Sequence, residues 1–407
     1  MKSKQILLLI VLVVAVGIGG LVMNRKQAES WAGGTAAADK LLARLPVGET
    51  LAQIKIEKGT NTLTLEKKNE AWTLKERGGY PANFTEISSA IMKLRELKSV
   101  QTEKIGASQL GRLELLPPGA GANTATRVEF RDAGGKALET LLLGKTQMGE
   151  DKQAAQFGGG EMGGFPKGRW LMVGEAKDTV SLVSDPLSNL TPNPGEWLNK
   201  DFFKVEKIKS ISVTHAAATN SWTLSRTNEG AGDWLLADAK PGEALDPGKT
   251  SGFTSVLSSP SFNDVVADPK PEALGLDKAT IIAIETFDGF HYTLKAGEKK
   301  EDNQPLTLSV SADLPKERKA GTDEKPEDKT RLDKEFAAQT KTLADKLATE
   351  KGFEKWTYLV SGWTLESLLK NRNELLPEKK SDATSTNATP GELTAPEALP
   401  TEPGPVK

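Results

Sequence analysis

The sequence predicts an α+β protein: an N-terminal transmembrane helix, two tandem, mostly antiparallel-sheet α+β repeats, and a disordered C-terminal tail. Three observations predict this arrangement. Residues 6–23 form an unbroken apolar run. Short segments with alternating apolar residues, separated by turn residues, recur in the same order in both halves of the chain. After Pro377 the composition changes to Pro, Thr, Ala and Glu, which is typical of disordered chain.

The apolar run at 6–23 contains no charged residue. At about 1.5 Å of helix rise per residue, its length approaches the roughly 30 Å hydrocarbon core of a bilayer. A cleavable signal peptide is the alternative, but its apolar region is normally about 7–15 residues long and is followed directly by a small-residue site. Arg25 and Lys26 follow this run instead. We therefore predict an uncleaved transmembrane anchor at 1–27 and a stalk at 28–45.

The basic residues on the two sides of the run are nearly balanced, with Lys2 and Lys4 before it and Arg25 and Lys26 after it. Basic residues favour the cytoplasmic side, and a short basic leader before one apolar run typically acts as a signal anchor. We expect a single span in the bacterial inner (cytoplasmic) membrane, with the amino terminus inside. The soluble part is then periplasmic or otherwise extracytoplasmic.

The first α+β repeat is predicted at 46–204. Apolar residues at period two around Ile54 and Trp72, with turns between them, indicate an antiparallel meander with one buried face. A helix follows, because Asn83 is a good N-cap and Glu86 stands three residues later. An apolar stripe at helical spacing predicts the buried face of this helix: Phe84, Ile87, Ile91, Leu94 and Leu97.

The second α+β repeat is predicted at 205–376, because the same order of elements recurs. Trp234 lies in a strand, Asp246 precedes a proline that starts a helix, and a final strand at Trp356 matches the one at Trp170. Recurring tryptophans favour anchors of a sheet core over exposed carbohydrate-stacking residues. The set comprises Trp72, Trp170, Trp222, Trp234 and Trp356.

A highly charged insertion near 299–350 interrupts the second repeat. It contains an amphipathic helix with Leu332, Phe336, Leu343 and Leu347 on one face. A helix packed on its own sheet is favoured over a partner-docking helix. The disordered Pro-rich tail is predicted at 377–407.

Composition excludes several classes of function. Lys plus Arg is 53 and Asp plus Glu is 55, which argues against a nucleic-acid binder. The absence of cysteine excludes disulfide scaffolds, thiol nucleophiles and iron–sulfur clusters. Only two histidines are present, His215 and His291, and neither lies in a metal or triad motif. We predict no catalytic, cofactor-binding or metal-binding residues, and no cofactor.

Two glycine-containing segments resemble ligand loops only superficially. Gly144-Lys145-Thr146 lacks the glycine that a phosphate-binding loop has five residues earlier, where this chain has Glu139. The glycine-rich segment at 158–164 has no phosphate-binding motif and is predicted to be the tip of a hairpin.

Several short motifs resemble those of a known family. They are Glu70-Ala71-Trp72-Thr73-Leu74, Tyr80-Pro81-Ala82-Asn83, Leu142-Leu143-Gly144-Lys145, Val180-Ser181-Leu182-Val183, Glu196-Trp197-Leu198-Asn199-Lys200, Asp233-Trp234-Leu235-Leu236, Ala273-Leu274-Gly275-Leu276-Asp277 and Tyr358-Leu359-Val360-Ser361. Together they resemble the bacterial DUF4340 family of single-span membrane-anchored proteins, over most of 50–376. Such proteins are similar to those encoded beside gliding-motility-type ABC transporter components, and the resemblance carries no catalytic residues.

We therefore expect a non-enzymatic, membrane-anchored envelope protein that is an accessory or scaffold subunit of an ABC-type export or gliding-related complex. Its expected partners are the membrane and an ABC transporter permease or auxiliary subunit, and no nucleic acid. The alternative is a module that binds a cell-envelope polymer (glycan), and an envelope hydrolase is third. A scaffold would show an apolar patch or a docking helix. A polymer binder would show exposed aromatic residues along a groove, and an enzyme would show a pocket with convergent titratable groups.

Overall fold

The computed structural model describes residues 40–43, 45, 48–149, 165–174, 178–230, 233–321 and 324–378. The predicted anchor at 6–23, the glycine-rich segment at 158–164 and the tail after residue 378 lie outside the described residues. None of the helices within the described ranges combines the length and apolar character needed to cross a membrane. The described chain forms two antiparallel sheets with a few helices, so the predicted α+β class is confirmed.

The first sheet has nine strands. They are β1 (Gln53–Lys58), β2 (Asn61–Lys68), β3 (Ala71–Leu74), β4 (Tyr80–Pro81), β5 (Ser99–Lys104), β6 (Thr126–Arg131), β7 (Ala137–Met148), β8 (Pro166–Val173) and β9 (Thr179–Val183). Their order across the sheet is β4-β3-β2-β1-β6-β7-β8-β9-β5. The predicted meander is therefore the β1–β4 half of the sheet, and β5 lies at the opposite edge.

The second sheet has eight strands. They are β10 (Ile208–Thr214), β11 (Trp222–Ser225), β12 (Leu235–Leu236), β13 (Phe262–Val266), β14 (Thr280–Thr286), β15 (Phe290–Ala296), β16 (Asn303–Ala312) and β17 (Thr357–Ser361). Their order is β12-β11-β10-β14-β15-β16-β17-β13. Apart from β4, this is the order of the first sheet, strand for strand.

Within the described ranges, five α-helices accompany the sheets: α1 (Phe84–Glu96), α2 (Pro194–Trp197), α3 (Pro247–Thr250), α4 (Pro326–Lys351) and α5 (Gly362–Glu366). Short 3-10 helices occupy Gly48–Thr50, Lys75–Arg77, Ala107–Leu113, Ala218–Asn220, Ser251–Thr254, Pro271–Leu274, Leu276–Lys278 and Arg372–Leu375. Among the described α-helices, only α1 and α4 are longer than two turns.

Strand register makes Trp72 and Trp234 equivalent. Leu65 of β2 pairs with β1 and also with Leu74 of β3. Leu224 of β11 pairs in the same way with β10 and with Leu236 of β12. Trp72 and Trp234 each lie two residues before these leucines. The register therefore gives the same match between the two tryptophans as the sequence pattern predicts.

The segments that close the two units also correspond. The N–H of Asn83, the N-cap of α1, donates to the last carbonyl of α2 at 2.7 Å. The N–H of Asp246, the N-cap of α3, donates in the same way to the last carbonyl of the Arg372–Leu375 helix at 3.0 Å. Each unit thus ends by returning to the start of its own first α-helix, and both closing helices begin with an asparagine cap.

Two expectations about the second half were wrong. The stretch near 299–350 is not a single insertion, because β16 lies within it between β15 and β17 and takes the place of β8. Its buried Leu306, Leu308 and Val310 alternate, but the charged residues just before this strand obscure the pattern. As a result β17 takes the place of β9, and Trp356 does not correspond to Trp170 of β8.

Helix α4 lies on its own sheet, as the favoured prediction had it. The helix contacts β16, and Leu343 and Leu347 pack against the core. Most of its remaining surface is exposed. Since only one narrow stripe is covered, most of the charged residues of α4 remain solvated, and Glu350 is the buried exception.

The two sheets share one hydrophobic core. Arg77 binds Asp264 of β13 through two hydrogen bonds of 2.7 and 2.8 Å. The Nζ of Lys200 donates to the carbonyls of Phe262 and Asn263 at 3.1 and 3.0 Å. These contacts are made with β13, which is the edge strand of the second sheet. In its counterpart β5, the edge strand of the first sheet, five of the six residues are exposed.

Candidate functional site

The two histidines occupy separate, structurally explained positions. The Nε2 of His215 lies 3.2 Å from the carbonyl oxygen of Lys370, next to the Trp222 indole that donates to the same oxygen at 2.7 Å. The Nε2 of His291 lies 3.2 Å from a carboxylate oxygen of Asp313 at the surface. The structure does not bring the two histidines into one hydrogen-bonded set. Across the described ranges, no cluster of three or more potential metal ligands occurs.

Gly144 has a packing role. The Gly144-Lys145-Thr146 segment lies inside β7 and does not open a helix. A Cβ on Gly144 would lie 2.3 Å from the carbonyl oxygen of Leu113. Glycine is therefore needed at this position for the close approach of two backbones.

The five recurring tryptophans do not form an exposed platform. Trp222 and Trp234 are buried, and the other three are half-buried. Trp363, at the start of α5, is the exception among the described tryptophans because it is 71% exposed. Trp222 and Trp234 are thus core residues and the other three pack against the core, in agreement with the favoured interpretation that they anchor a sheet core.

One cleft does collect titratable groups, where the linker between the units meets the end of α4. Its volume is about 620 Å³, and its lining includes Lys200, Lys204, Lys346 and Glu350. Glu350 is buried and accepts hydrogen bonds from the N–H of Lys204 at 3.0 Å and the hydroxyl of Tyr292 at 2.7 Å. Burial raises the pKa of Glu350. These bonds tie α4, β15 and the linker together, so the group has a structural role.

The lysines of this cleft are also held by the fold. Both carbonyl contacts of Lys200 belong to the junction between the sheets, and burial lowers the pKa of Lys200. Lys346 lies 3.9 Å from Glu350 and 4.8 Å from the ring centroid of Phe290. Packing and hydrogen bonding therefore account for the positions of Lys200, Lys346 and Glu350 in this cleft.

An apolar groove lies between α1 and the β2–β3 hairpin, and we call it the α1 groove. Its volume is about 540 Å³. Its lining residues are Gly48, Leu51, Lys67, Glu70, Trp72, Phe84, Ile87, Ser88, Ile91, Met92 and Arg95. Six of these residues are apolar and three are charged. This composition is typical of a site that binds an apolar surface with a few oriented polar contacts.

The helix α1 forms one wall of the groove because it carries two apolar stripes. Ile87, Ala90 and Leu94 face the core and are buried. Phe84 and Met92 face the groove and are 63% and 66% exposed. The sequence prediction placed Phe84 in the buried stripe, and this was wrong. Phe84 is the first residue of the helix, and the stripe that packs on the sheet begins one turn later.

The opposite wall is formed by polar and aromatic residues of β2 and β3. Half-buried Trp72 of β3 lines the groove. Beside it, the Nζ of Lys67 binds a carboxylate oxygen of Glu70 at 2.7 Å. Gly48 and Leu51 also line the groove, and they belong to the segment by which the chain enters the first unit. In this segment the N–H of Leu41 donates to the carbonyl of Leu97 at 3.0 Å. The groove is therefore next to the chain that comes from the predicted anchor.

Comparison with known proteins gives one match. The sequence model of a family described as a domain of unknown function, DUF4340, matches residues 72–279, a little over half of the chain. The match begins at Trp72 in the α1 groove and extends into the second unit. No curated protein and no solved structure matches the chain.

Proposed function

The chain belongs to the DUF4340 family, and from this premise we propose that it is a non-enzymatic, membrane-anchored accessory or scaffold subunit of an ABC-type export or gliding-related complex. In this proposal, residues 6–23 anchor the chain in the bacterial inner membrane, and the two α+β units are tandem copies on the extracytoplasmic side. The proposed partner is an ABC permease or its auxiliary subunit.

The α1 groove is the observation that supports a scaffold. Apolar side chains grouped on an exposed surface can form protein-interaction sites. Phe84 and Met92 are exposed on one helix face beside Trp72. A groove next to the chain that leads to a membrane anchor is well placed to contact another membrane protein.

The junction between the sheets provides a second requirement of a scaffold, which is a fixed geometry. The shared core and the Arg77–Asp264 ion pair join the two units. A partner bound in the α1 groove would therefore be held at a fixed position relative to the second unit.

Affinity purification of the full-length chain from membranes tests this proposal. We expect the wild-type chain to recover an ABC permease or auxiliary subunit, and Met92→Ser to recover much less. Leu235→Ser is the matched control, since Leu235 is an exposed aliphatic residue (54%) outside the groove. If no transporter subunit is recovered with the wild-type chain, the proposed partner is wrong. Equal recovery with Met92→Ser would remove the groove from the proposal.

Membrane anchoring requires its own test. We expect the full-length chain to remain with membranes during a carbonate wash, and its function to be lost when residues 6–23 are replaced by a cleavable signal peptide. Release would lower the effective concentration of the units near a membrane partner. A wild-type chain found in the soluble fraction and shortened by roughly 20–40 residues would show that the run is cleaved.

Binding of an envelope glycan is the second candidate function, and Trp363 is the observation that favours it. Its indole is 71% exposed, as expected for a ring that stacks on a sugar. Sedimentation with purified peptidoglycan should then decrease for Trp363→Ala. Equal sedimentation of both chains would remove this candidate.

A further inference from the structure

The α1 groove has a counterpart in the second unit, where the chain itself fills the space. Trp234, the equivalent of Trp72, is only 7% exposed. The ring of Phe253 lies edge-on to it, with centroids 6.4 Å apart. The guanidinium carbon of Arg226, the residue after β11, lies 5.2 Å from the ring centroid of Trp234. The second unit thus shows that an aromatic ring is a suitable neighbour for the tryptophan at this position.

Within the described residues, Trp72 makes no contact with another aromatic ring, whereas Trp234 contacts the ring of Phe253. Phe253 stands seven residues after the N-cap Asp246, and the residue seven positions after the N-cap Asn83 is Ala90, which faces the core and does not line the groove. The helix of the first unit therefore supplies no aromatic ring at the equivalent position, and Trp72 remains half-buried beside an open groove.

The groove also presents a cation without a partner in the described chain. Arg95 lies in the last turn of α1 and lines the groove. Within the described residues it makes no hydrogen bond or ion pair, whereas Lys67 on the opposite wall is paired with Glu70. A ligand that places a carboxylate at Arg95 would gain a charge-assisted hydrogen bond there.

We propose that the α1 groove binds an amphipathic helix of a partner protein, which inserts an aromatic side chain against Trp72 and places a carboxylate at Arg95. The inference rests on the proposed scaffold function and names the chemistry of the partner. The groove follows α1 from Phe84 to Arg95, a length of about 16 Å, which accommodates about three turns of a second helix. An apolar ridge of that length matches the exposed face formed by Phe84 and Met92.

Synthetic helical peptides test the two parts of this inference. The probes are three amphipathic peptides of about 14 residues: one with Phe and Glu spaced to reach Trp72 and Arg95, one with Ala in place of Phe, and one with Lys in place of Glu. The chain contains no cysteine, so Lys93→Cys in the full-length protein allows one fluorophore to be attached beside the groove. The protein is held in nanodiscs of zwitterionic lipid, and fluorescence reports peptide binding.

We expect the Phe/Glu peptide to bind about tenfold more tightly than the Ala peptide and about fivefold more tightly than the Lys peptide. In the Arg95→Glu chain, the Lys peptide should bind more tightly than the Glu peptide. Affinities within twofold of one another, or an unchanged order with Arg95→Glu, would overturn the inference. Urea unfolding of each variant, compared with the parent chain, shows whether the fold is retained.

Two other occupants of the groove give distinct results in the same assay. A fluorescence shift without peptide that grows with the content of anionic lipid would mean that α1 lies on the membrane surface. A shift that grows with protein concentration would mean that a second copy of the chain fills the groove. Either result overturns the inference. If the peptides fail to bind but membrane purification still recovers a transporter subunit, the scaffold proposal stands and only this assignment of the groove is wrong.

Discussion

Arg77 and Asp264, 187 residues apart in the sequence, form a bidentate ion pair at the junction of the two sheets. Both side chains are about three-quarters buried, at 23% and 28% exposure. The hydrogen bond to Asp264 raises the pKa of Arg77, so the guanidinium is charged at every accessible pH. The pair is therefore a specific link between the two units, in addition to their shared apolar core.

Breaking this pair should weaken the coupling between the units. We expect Arg77→Ala and Asp264→Ala each to lower the free energy of unfolding, with a coupling energy of about 1–2 kcal/mol in a double-mutant cycle. Urea unfolding of the two single variants and the double variant measures it. Arg77→Lys is the matched control and should recover only part of the coupling, because an ammonium cannot form the same two-pronged contact. Additive single effects would show that the pair contributes nothing.

The equivalent tryptophans should differ in their contribution to stability. We expect Trp234→Ala to cost about 3–5 kcal/mol, since Trp234 is buried against Phe253 and Arg226. Trp72→Ala should cost about 1–2 kcal/mol, because Trp72 is half-buried and lines the open groove. Chemical unfolding of the two variants, measured against the wild-type chain, gives both values. Equal losses would contradict the difference in packing that the structure shows.

Glu350 should make stability depend on pH. Burial raises the pKa of Glu350 in the folded protein above its ordinary value, so the folded state binds the proton more tightly than the unfolded state. The stabilisation is then complete below the unfolded pKa of about 4.3 and is lost as the pH rises through the folded pKa. Lys346 lowers and Glu206 raises this pKa, while the hydroxyl of Tyr292 and the N–H of Lys204 lower it.

The matched variant for this prediction is Glu350→Gln, which cannot ionise. We expect the stability of the wild-type chain relative to Glu350→Gln to decrease as the pH rises from about 4 to 8. Unfolding free energies at several pH values measure this difference. A difference that stays constant with pH, or that increases, would contradict burial as the dominant effect on the carboxyl group.

The histidines should be dispensable for the proposed function. We expect His291→Ala to change stability by less than about 0.5 kcal/mol, because its Asp313 contact is at the surface. His215→Ala should cost about 1 kcal/mol, since it removes a contact to the carbonyl of Lys370. Neither variant should change the recovery of a membrane partner in affinity purification. Loss of function in a folded histidine variant would revive the enzyme hypothesis.

Sequence patterns identified the groove residues but not the groove. The period of three to four in α1 marked Phe84 and Ile91 as members of an apolar stripe, and the recurrence of Trp72 and Trp234 marked a common position. Neither pattern shows that this position lies beside an open groove at Trp72 and is covered by Phe253 at Trp234. That difference depends on which side chain of the helix lies against the strand. Predicting it requires the register of β2 with β3.

The sequence by itself determined the features that depend on local interactions. Alternation, turn residues and the caps at Asn83 and Asp246 predicted the sheet meander, the two helices and the recurring order of elements, because each depends on neighbours within a few residues. Tertiary structure decided what depends on residues far apart: the place of β16 in its sheet, the burial of Glu350 and the exposure of Phe84. The Arg77–Asp264 pair is the clearest case, since no local pattern links two residues whose distance is set only when both sheets have formed.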